Sequence, residues 1–429
     1  MRLRPHLRLA SAAALAALIA GGAGAQLLPP LPNPGRVLGD IGRVGADALD
    51  STARAADALV TDARTLASAR RERLRELVDA HPQVLEMTEV GPAVRGEILA
   101  LDPSSGTLAA ARRAGFTLLA EEEIEGLGIR TVTLSAPEGL SLRRALARLR
   151  RIAPEGEFAA NHLHDQSGGA RIAPLTAAAA LAAQRPGTGP AIGIIDGGVA
   201  AHPSLTGPIE QRGFARGAPA PSEHGTAVAS LAAGRGRIGG AAPGARLVVA
   251  DVYGRDPAGG NALALARALG WMAERRVPVV AVSLVGPNNA LVERAVAQAR
   301  ARGIHVVAAV GNDGPAAPPA FPASYPGVIA VTGVDGHNRA LIEAGRALHL
   351  DYAAPGADMA AATVSGGAGP VRGTSYAVPL VAGRAWRAIT AGRPPVAALD
   401  SEAVDLAPRG PDRRHGRGLV CGTCRTPVR

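Results

Sequence analysis

The sequence predicts an α/β protein, a parallel sheet with helices on both faces, preceded by a small β-α-β-β-α-β domain of the split βαβ, ferredoxin-like kind. Three observations carry this. From Ala191 onward, short apolar runs alternate with amphipathic helical segments. Between residues 95 and 163, strands and two capped helices form a self-contained pattern. A Gly-, Pro- and Ala-rich stretch separates the two. A chain of 429 residues exceeds one ordinary core, and 47% hydrophobic content is ample for burial.

At the N-terminus, Arg2, Arg4 and Arg8 precede an apolar stretch from Leu9 to Ala20, and Ala23-Gly24-Ala25 offers a small-x-small cleavage site before Gln26. Residues 1–25 therefore read as an export signal. The apolar stretch is too short for the roughly 20 residues a spanning helix needs, and no Cys follows it for lipid attachment. The mature protein is expected in the periplasm or the medium, without a stable membrane anchor. In the next segment, 26–85, Pro29, Pro30, Pro32 and Pro34 block helix and sheet alike. From about Val44 to Val78, apolar positions such as Leu59, Leu66, Leu74 and Leu77 recur at helical spacing. That helix is a spacer or a packing arm.

The small domain, 86–165, has strand patterns at Ile98 to Leu101, Phe116 to Ala120, Ile129 to Leu134 and Phe158 to His162. Helices fill Ser104 to Ala114, ending at Gly115, and a segment capped by Ser141 that runs to about Ile152. Residues 166–189 read as linker. In the large domain, 190–398, buried-strand candidates are Ile192 to Ile195, Leu247 to Val252, Val277 to Leu284, His305 to Val310 and Val328 to Val334. Helices lie near Ala227 to Ala233, Ala262 to Arg276, Ala290 to Arg302 and Tyr376 to Thr390. His305, inside an apolar run, is expected in the core. In such sheets ligands gather at the carboxyl ends of the strands.

Four strings place chemistry there. Asp196 ends an apolar strand in Ile194-Ile195-Asp196-Gly197-Gly198, His224 opens a helix in Glu223-His224-Gly225-Thr226, and Ser375 lies in Gly373-Thr374-Ser375-Tyr376. A carboxylate can fix the tautomer of an imidazole that takes a proton from a serine hydroxyl, and Asp, His, Ser is one known chain order for this geometry. Asn312, after an apolar strand and Gly311, can offer its amide to an oxyanion. Each residue alone has an ordinary structural reading, as a turn Asp, a surface His, an N-cap Ser or a Gly-Asn turn. Their joint order does not.

Together the four strings resemble the subtilisin-like serine peptidases, the subtilase family, over about residues 190 to 395. Val282-Ser283-Leu284 resembles the strand that pairs with substrate backbone in that family, and Ala354-Pro355-Gly356 also fits. The resemblance implies catalytic Asp196, His224 and Ser375, oxyanion donor Asn312, and substrate contacts from Ser283, Leu284, Val285, Gly286 and Gly311. It implies polypeptide substrates and a propeptide, the 86–165 domain, that occupies the cleft as an intramolecular inhibitor with Asn161 to His164 near the active site. No cofactor or metal is required for the chemistry. Departures are Gly197, where relatives usually carry Ser or Thr that bonds to the carboxylate, Ala227 for a second His, Tyr376 for Met, and Val285 for Gly, which is expected to narrow the pocket for the residue preceding the cut.

All 46 basic residues are Arg, and the net charge is +10. Such charge can mark a nucleic-acid or membrane partner, but here it is spread without aromatic interleaving, so no nucleic acid is expected. Within the 399–429 tail, Cys421 and Cys424 form a C-x-x-C that in an exported protein is expected to close a small-loop disulfide; the lesser alternatives are a redox pair, which the Arg- and Pro-rich flanks do not suggest, and a zinc site, for which only His415 offers a third ligand. A catalytically silent peptide-binding module and a transpeptidase remain alternatives to hydrolysis.

Overall fold

The computed structural model describes residues 65–167, 181–182, 187–406 and 409–428. The segments read as export signal, Pro-rich stretch, first part of an amphipathic helix and most of the 166–189 linker lie outside the described residues. Helix α1 spans 65–80 and buries Ala67, Leu74 and Val78, a single face at helical spacing.

The small domain follows as β1 (Leu85–Met87), β2 (Pro92–Leu101), α2 (Ser105–Arg113), β3 (Thr117–Ile124), β4 (Ile129–Ser135), α3 (Leu142–Ile152) and β5 (Glu157–His162). Its antiparallel sheet runs β3-β4-β2-β5, with β1 added to the start of β2. Ser104 caps α2 by accepting from the Thr107 N–H. Ser141 makes no such bond at α3, where the Glu86 carboxylate reaches across from β1 and takes the Leu142 N–H at 2.9 Å. Alternation along β2 divides its side chains: Ile98 and Ala100 pack under α2 and α3, while Leu99 and Leu101 join the core of the large domain. The small domain is thus docked by its second sheet face, fixed further by the bidentate pair from Arg267 to Glu122 at 2.7 and 2.6 Å.

After β6 (Asp165–Gln166) come β7 (Ala191–Asp196), β8 (Ile209–Gly213), α4 (Glu223–Ala233), β9 (Arg246–Asp251), α5 (Ala262–Glu274), β10 (Val279–Val282), β11 (Leu284–Val285), α6 (Ala290–Ala301), β12 (His305–Ala309), β13 (Ile329–Val334) and β14 (Tyr352–Pro355). Seven of these strands form a parallel sheet ordered β14-β13-β12-β10-β7-β9-β8. The α/β class and the helix-covered parallel sheet expected from the sequence are what the chain adopts. Helices cover both faces: Ile192, Ile194, Leu247 and Val249 face α4 and α7 (Val378–Thr390), whereas Ile195, Val248, Val280 and Val282 face α5 and α6. Strands buried on both sides need no polar alternation, which is why they read as continuous apolar runs.

Differences from the sequence expectations have local causes. The Val277 to Leu284 run breaks at Ser283 into β10 and β11, because β11 leaves the sheet to pair with β6. His305 is half-buried at the entry of β12, not in the core; burial and then the Arg300 charge hold its pKa below 6.5. Gln166 and Ser167 belong to a paired strand segment and not to a linker. The tail folds back with α8 (Pro395–Glu402), burying Val420 and Cys421, and Cys421 is disulfide-bonded to Cys424. No described helix is long and apolar enough to cross a membrane.

Candidate active site

Asp196 sits at the carboxyl end of β7, near where the chain order of the sheet reverses. Its carboxylate is fully buried and accepts from the Gly197 N–H at 2.7 Å and from Gln166 Nε2 at 3.0 Å. Gly197 is required by packing: a Cβ there would lie 2.3 Å from Ser222 Oγ, the hydroxyl that caps α4. The cap aims α4 so that His224 points back at the strand. Its Nδ1 lies 3.0 and 2.8 Å from the two Asp196 oxygens, and its Nε2 lies 2.9 Å from Ser375 Oγ. The Tyr376 ring packs against the imidazole, with centroids 5.2 Å apart.

Ser375 occupies a 3-10 turn, Thr374–Tyr376, just before α7. Entry to that turn needs φ near 142° at Gly373, a value that side chains disfavour. Gly373 is held by its N–H to the Gly356 carbonyl at 2.8 Å, which gives Ala354-Pro355-Gly356 its place beside the site. Asn312 follows β12; its Oδ1 accepts the Thr374 N–H at 2.9 Å, which leaves Nδ2 buried and without a partner. A buried amide with unused donors beside a serine hydroxyl is suited to receive developing negative charge.

Ser283 Oγ donates to the Ser375 carbonyl at 2.9 Å, and the Ser283 carbonyl accepts the Ser167 N–H at 3.1 Å. Leu284 pairs antiparallel with Gln166, and Val285 with Asp165. One step on, the His164 N–H donates to the Gly260 carbonyl at 2.7 Å, and a Cβ on Gly286 would lie 2.4 Å from the His164 ring. The chain's own residues 164–167 therefore lie along the candidate substrate strand. His164 is fully buried with neither ring nitrogen paired, and burial lowers the pKa of both His162 and His164 to about 4.

Val285, Gly286 and Gly311 also wall a cavity of about 540 Å³ that extends to Ala320, Phe321 and helix α1. The Val285 isopropyl group lies beside Gly311, where a Cβ would be 3.4 Å from Val285 Cγ1. Sequence reasoning missed three participants. Gln166 was hidden among Gly- and Ala-rich neighbours. Asp251, at the end of β9 and in register with Asp196, accepts three backbone N–H groups; burial, outweighing those bonds, raises its pKa. Asp313 lies next to Asn312 and pairs with Arg70 and Arg73 of α1. Among the described residues, no three His, Cys, Asp or Glu side chains gather to hold a metal ion.

A strand-end carboxylate, an imidazole and a serine hydroxyl on a parallel α/β sheet define a serine endopeptidase of the subtilisin type. The profile of the Subtilase family matches residues 187–394. Subtilisin BL of Lederbergia lenta is 35% identical over 209 residues, 46% of this chain and 76% of that protein. An alkaline protease of Alkalihalobacillus alcalophilus is 34% identical over 209 residues, 46% of this chain, and the match spans about half the relative's length, 53%. Among solved structures, fervidolysin from Fervidobacterium pennivorans, a keratinolytic enzyme related to subtilisin, shares the fold with a TM-score of 0.63 and 20% identity, over 80% of this chain and 62% of that one. The chain belongs to the subtilase family.

Proposed function

We propose that the chain is an exported serine endopeptidase made as a self-inhibited precursor. Ser375 Oγ attacks the scissile carbonyl while His224 Nε2 takes its proton; His224 then returns the proton to the leaving amine, and water resolves the acyl-enzyme by the same route. Asp196 holds the imidazole in the tautomer with the proton on Nδ1 and stabilises its charged form. Asn312 Nδ2 and the Ser375 N–H receive the oxyanion. The observation that carries this reading is the unbroken hydrogen-bonded line Asp196, His224, Ser375.

Self-inhibition is supported by the docked segment. Asp165 and Gln166 add a strand to the substrate strand, and Ser167 bonds to Ser283, whose hydroxyl in turn holds the Ser375 backbone. This pairing supports a cut of the precursor by itself after Ser167, the residue whose N–H bonds to Ser283. Residues up to 167 then remain as an inhibitor until removed. N-terminal sequencing of purified wild type beside Ser375→Ala tests this: a mature terminus beginning at Gly168 in wild type only is expected. An identical, unprocessed terminus in both proteins would contradict it.

A further inference from the structure

We infer that the outward helical face of the small domain is a docking surface for an anionic lipid membrane, met through the arginines of α3 and α2 and the apolar turn between β1 and β2. None of these residues takes part in the reaction proposed above.

Helix α3 holds five arginines among its eleven residues and no acid. Leu142, Ala145 and Leu149 are buried against the sheet, which turns the arginines outward. Arg144, Arg148 and Arg151 follow one another at helical spacing. Like charges three and four residues apart weaken a helix, and Arg143 and Arg144 in the first turn oppose its dipole. A face that only has to be solvated is better made of mixed signs. Here helix stability is lowered in favour of a single sign. Arg112 and Arg113 end α2 on the same side of the sheet. Except for Arg143, which lies 3.7 Å from the exposed Glu89, these side chains have no ion-pair partner among the described residues.

Toward the large domain the sign is reversed. Glu122 pairs with Arg267, and Asp102 and Glu157 pair with Arg294. Docking therefore uses acidic groups and leaves the basic face free. Beside the N-terminus of α3, the turn after β1 exposes Met87 by 41% and Val90 by 53%, and Glu86 fixes β1 there through the Leu142 N–H. Aliphatic side chains at the edge of an arginine face suit the boundary between headgroups and acyl chains, and guanidinium groups suit headgroup phosphates. Nucleic acid fits less well: Phe116 and Phe158, the aromatic residues between 86 and 165, are both buried, so neither can stack on a base. That maturation leaves this surface behind, and the membrane with it, rests on the self-processing proposed above.

The test uses the full-length Ser375→Ala chain, which keeps the small domain attached whether or not the triad is active. Its partitioning onto phosphatidylcholine vesicles is compared with that onto vesicles holding about one-third phosphatidylglycerol, at about 0.1 M salt. The ratio removes apolar binding common to both. Each arginine that reaches an anionic surface strengthens binding by roughly fivefold, so the chain is expected to favour the anionic vesicles by about a hundredfold or more. Combining Arg144→Gln, Arg148→Gln and Arg151→Gln is expected to lower that preference by at least about tenfold. Should the triple variant not accumulate, Arg148→Gln alone is expected to lower it by about fivefold. A ratio near one, or a preference that the variants leave unchanged, overturns the proposal. So does duplex DNA that strips the chain from anionic vesicles at equal phosphate concentration, which would assign the surface to nucleic acid. No arm needs a working Ser375, so failure here is distinct from failure of the peptidase reading, which fluorophosphonate labelling of wild type reports.

Discussion

Gln166 donates a 3.0 Å hydrogen bond to Oδ1 of Asp196, so a residue from the segment before the large domain completes the coordination of a fully buried carboxylate of that domain. The bond fills the place that a Ser or Thr at position 197 would serve. Gly197, excluded from carrying a side chain by Ser222, gives only its N–H.

Removing the Gln166 amide should loosen the docked segment. A hydrogen bond to a buried charged group contributes about 2 kcal/mol, roughly thirtyfold in the docking equilibrium. Gln166→Ala in the full-length chain is expected to shorten the lag before peptidase activity appears. An unchanged lag would mean that the amide contributes nothing to inhibition.

In the mature enzyme, Asp196→Asn should leave the backbone in place and remove the imidazole's charged partner. A fall in kcat of about 10⁴-fold is expected, the size known for this substitution in serine peptidases. Asn312→Ala should cost about 10²–10³-fold, the magnitude that loss of the corresponding amide donor has in subtilisin. Steady-state assays on one chromogenic peptide check both, with KM expected to change far less than kcat.

Acid should weaken the docked state. His162 and His164 are held from 6.5 down to about 4 by burial, so docking excludes protons that the released segment would bind. For a base whose pKa is lowered in this way, docking is at full strength above the free pKa of 6.5 and is weakened as pH falls from there toward 4. Each group can contribute roughly 3 kcal/mol to that weakening, since a tenfold change in proton affinity corresponds to about 1.36 kcal/mol. Precursor incubated at pH 5 and then assayed at pH 7.5 should activate faster than precursor kept at pH 7.5, and His164→Leu should flatten the difference.

The C-terminal staple should matter for stability and not for chemistry. Cys421 and Cys424 close a loop across a separation of three residues, and Cys421 is buried against the large-domain core. Chain-entropy arguments give about 2 kcal/mol for so short a loop. The double substitution to Ser is expected to lower the unfolding free energy by that amount, read as an earlier denaturation midpoint, with kcat/KM unchanged; no shift in midpoint would show that the tail is held by packing alone.

The parallel sheet was legible because strands buried on both faces, such as Ala191–Asp196 and Val279–Val282, leave long apolar runs. Strand β8, Ile209–Gly213, was not, since as an edge strand it carries Glu210, Gln211 and Arg212 among its five residues. Asp196, His224, Ser375 and Asn312 were legible through the order of their small-residue neighbours. Gln166 and Asp313 were not: each acquires its place only through a partner far along the chain, Asp196 in one case and Arg70 in the other. A linker composition says nothing of such pairing.

The central claim is that Ser375 is a nucleophile activated by His224 and Asp196, and labelling with a fluorophosphonate probe tests it most directly. Mature wild type should be labelled at Ser375, with labelling abolished by Ser375→Ala and strongly slowed by His224→Ala. Failure to label a folded, matured wild-type protein, or equal labelling of the Ser375→Ala variant, would contradict it.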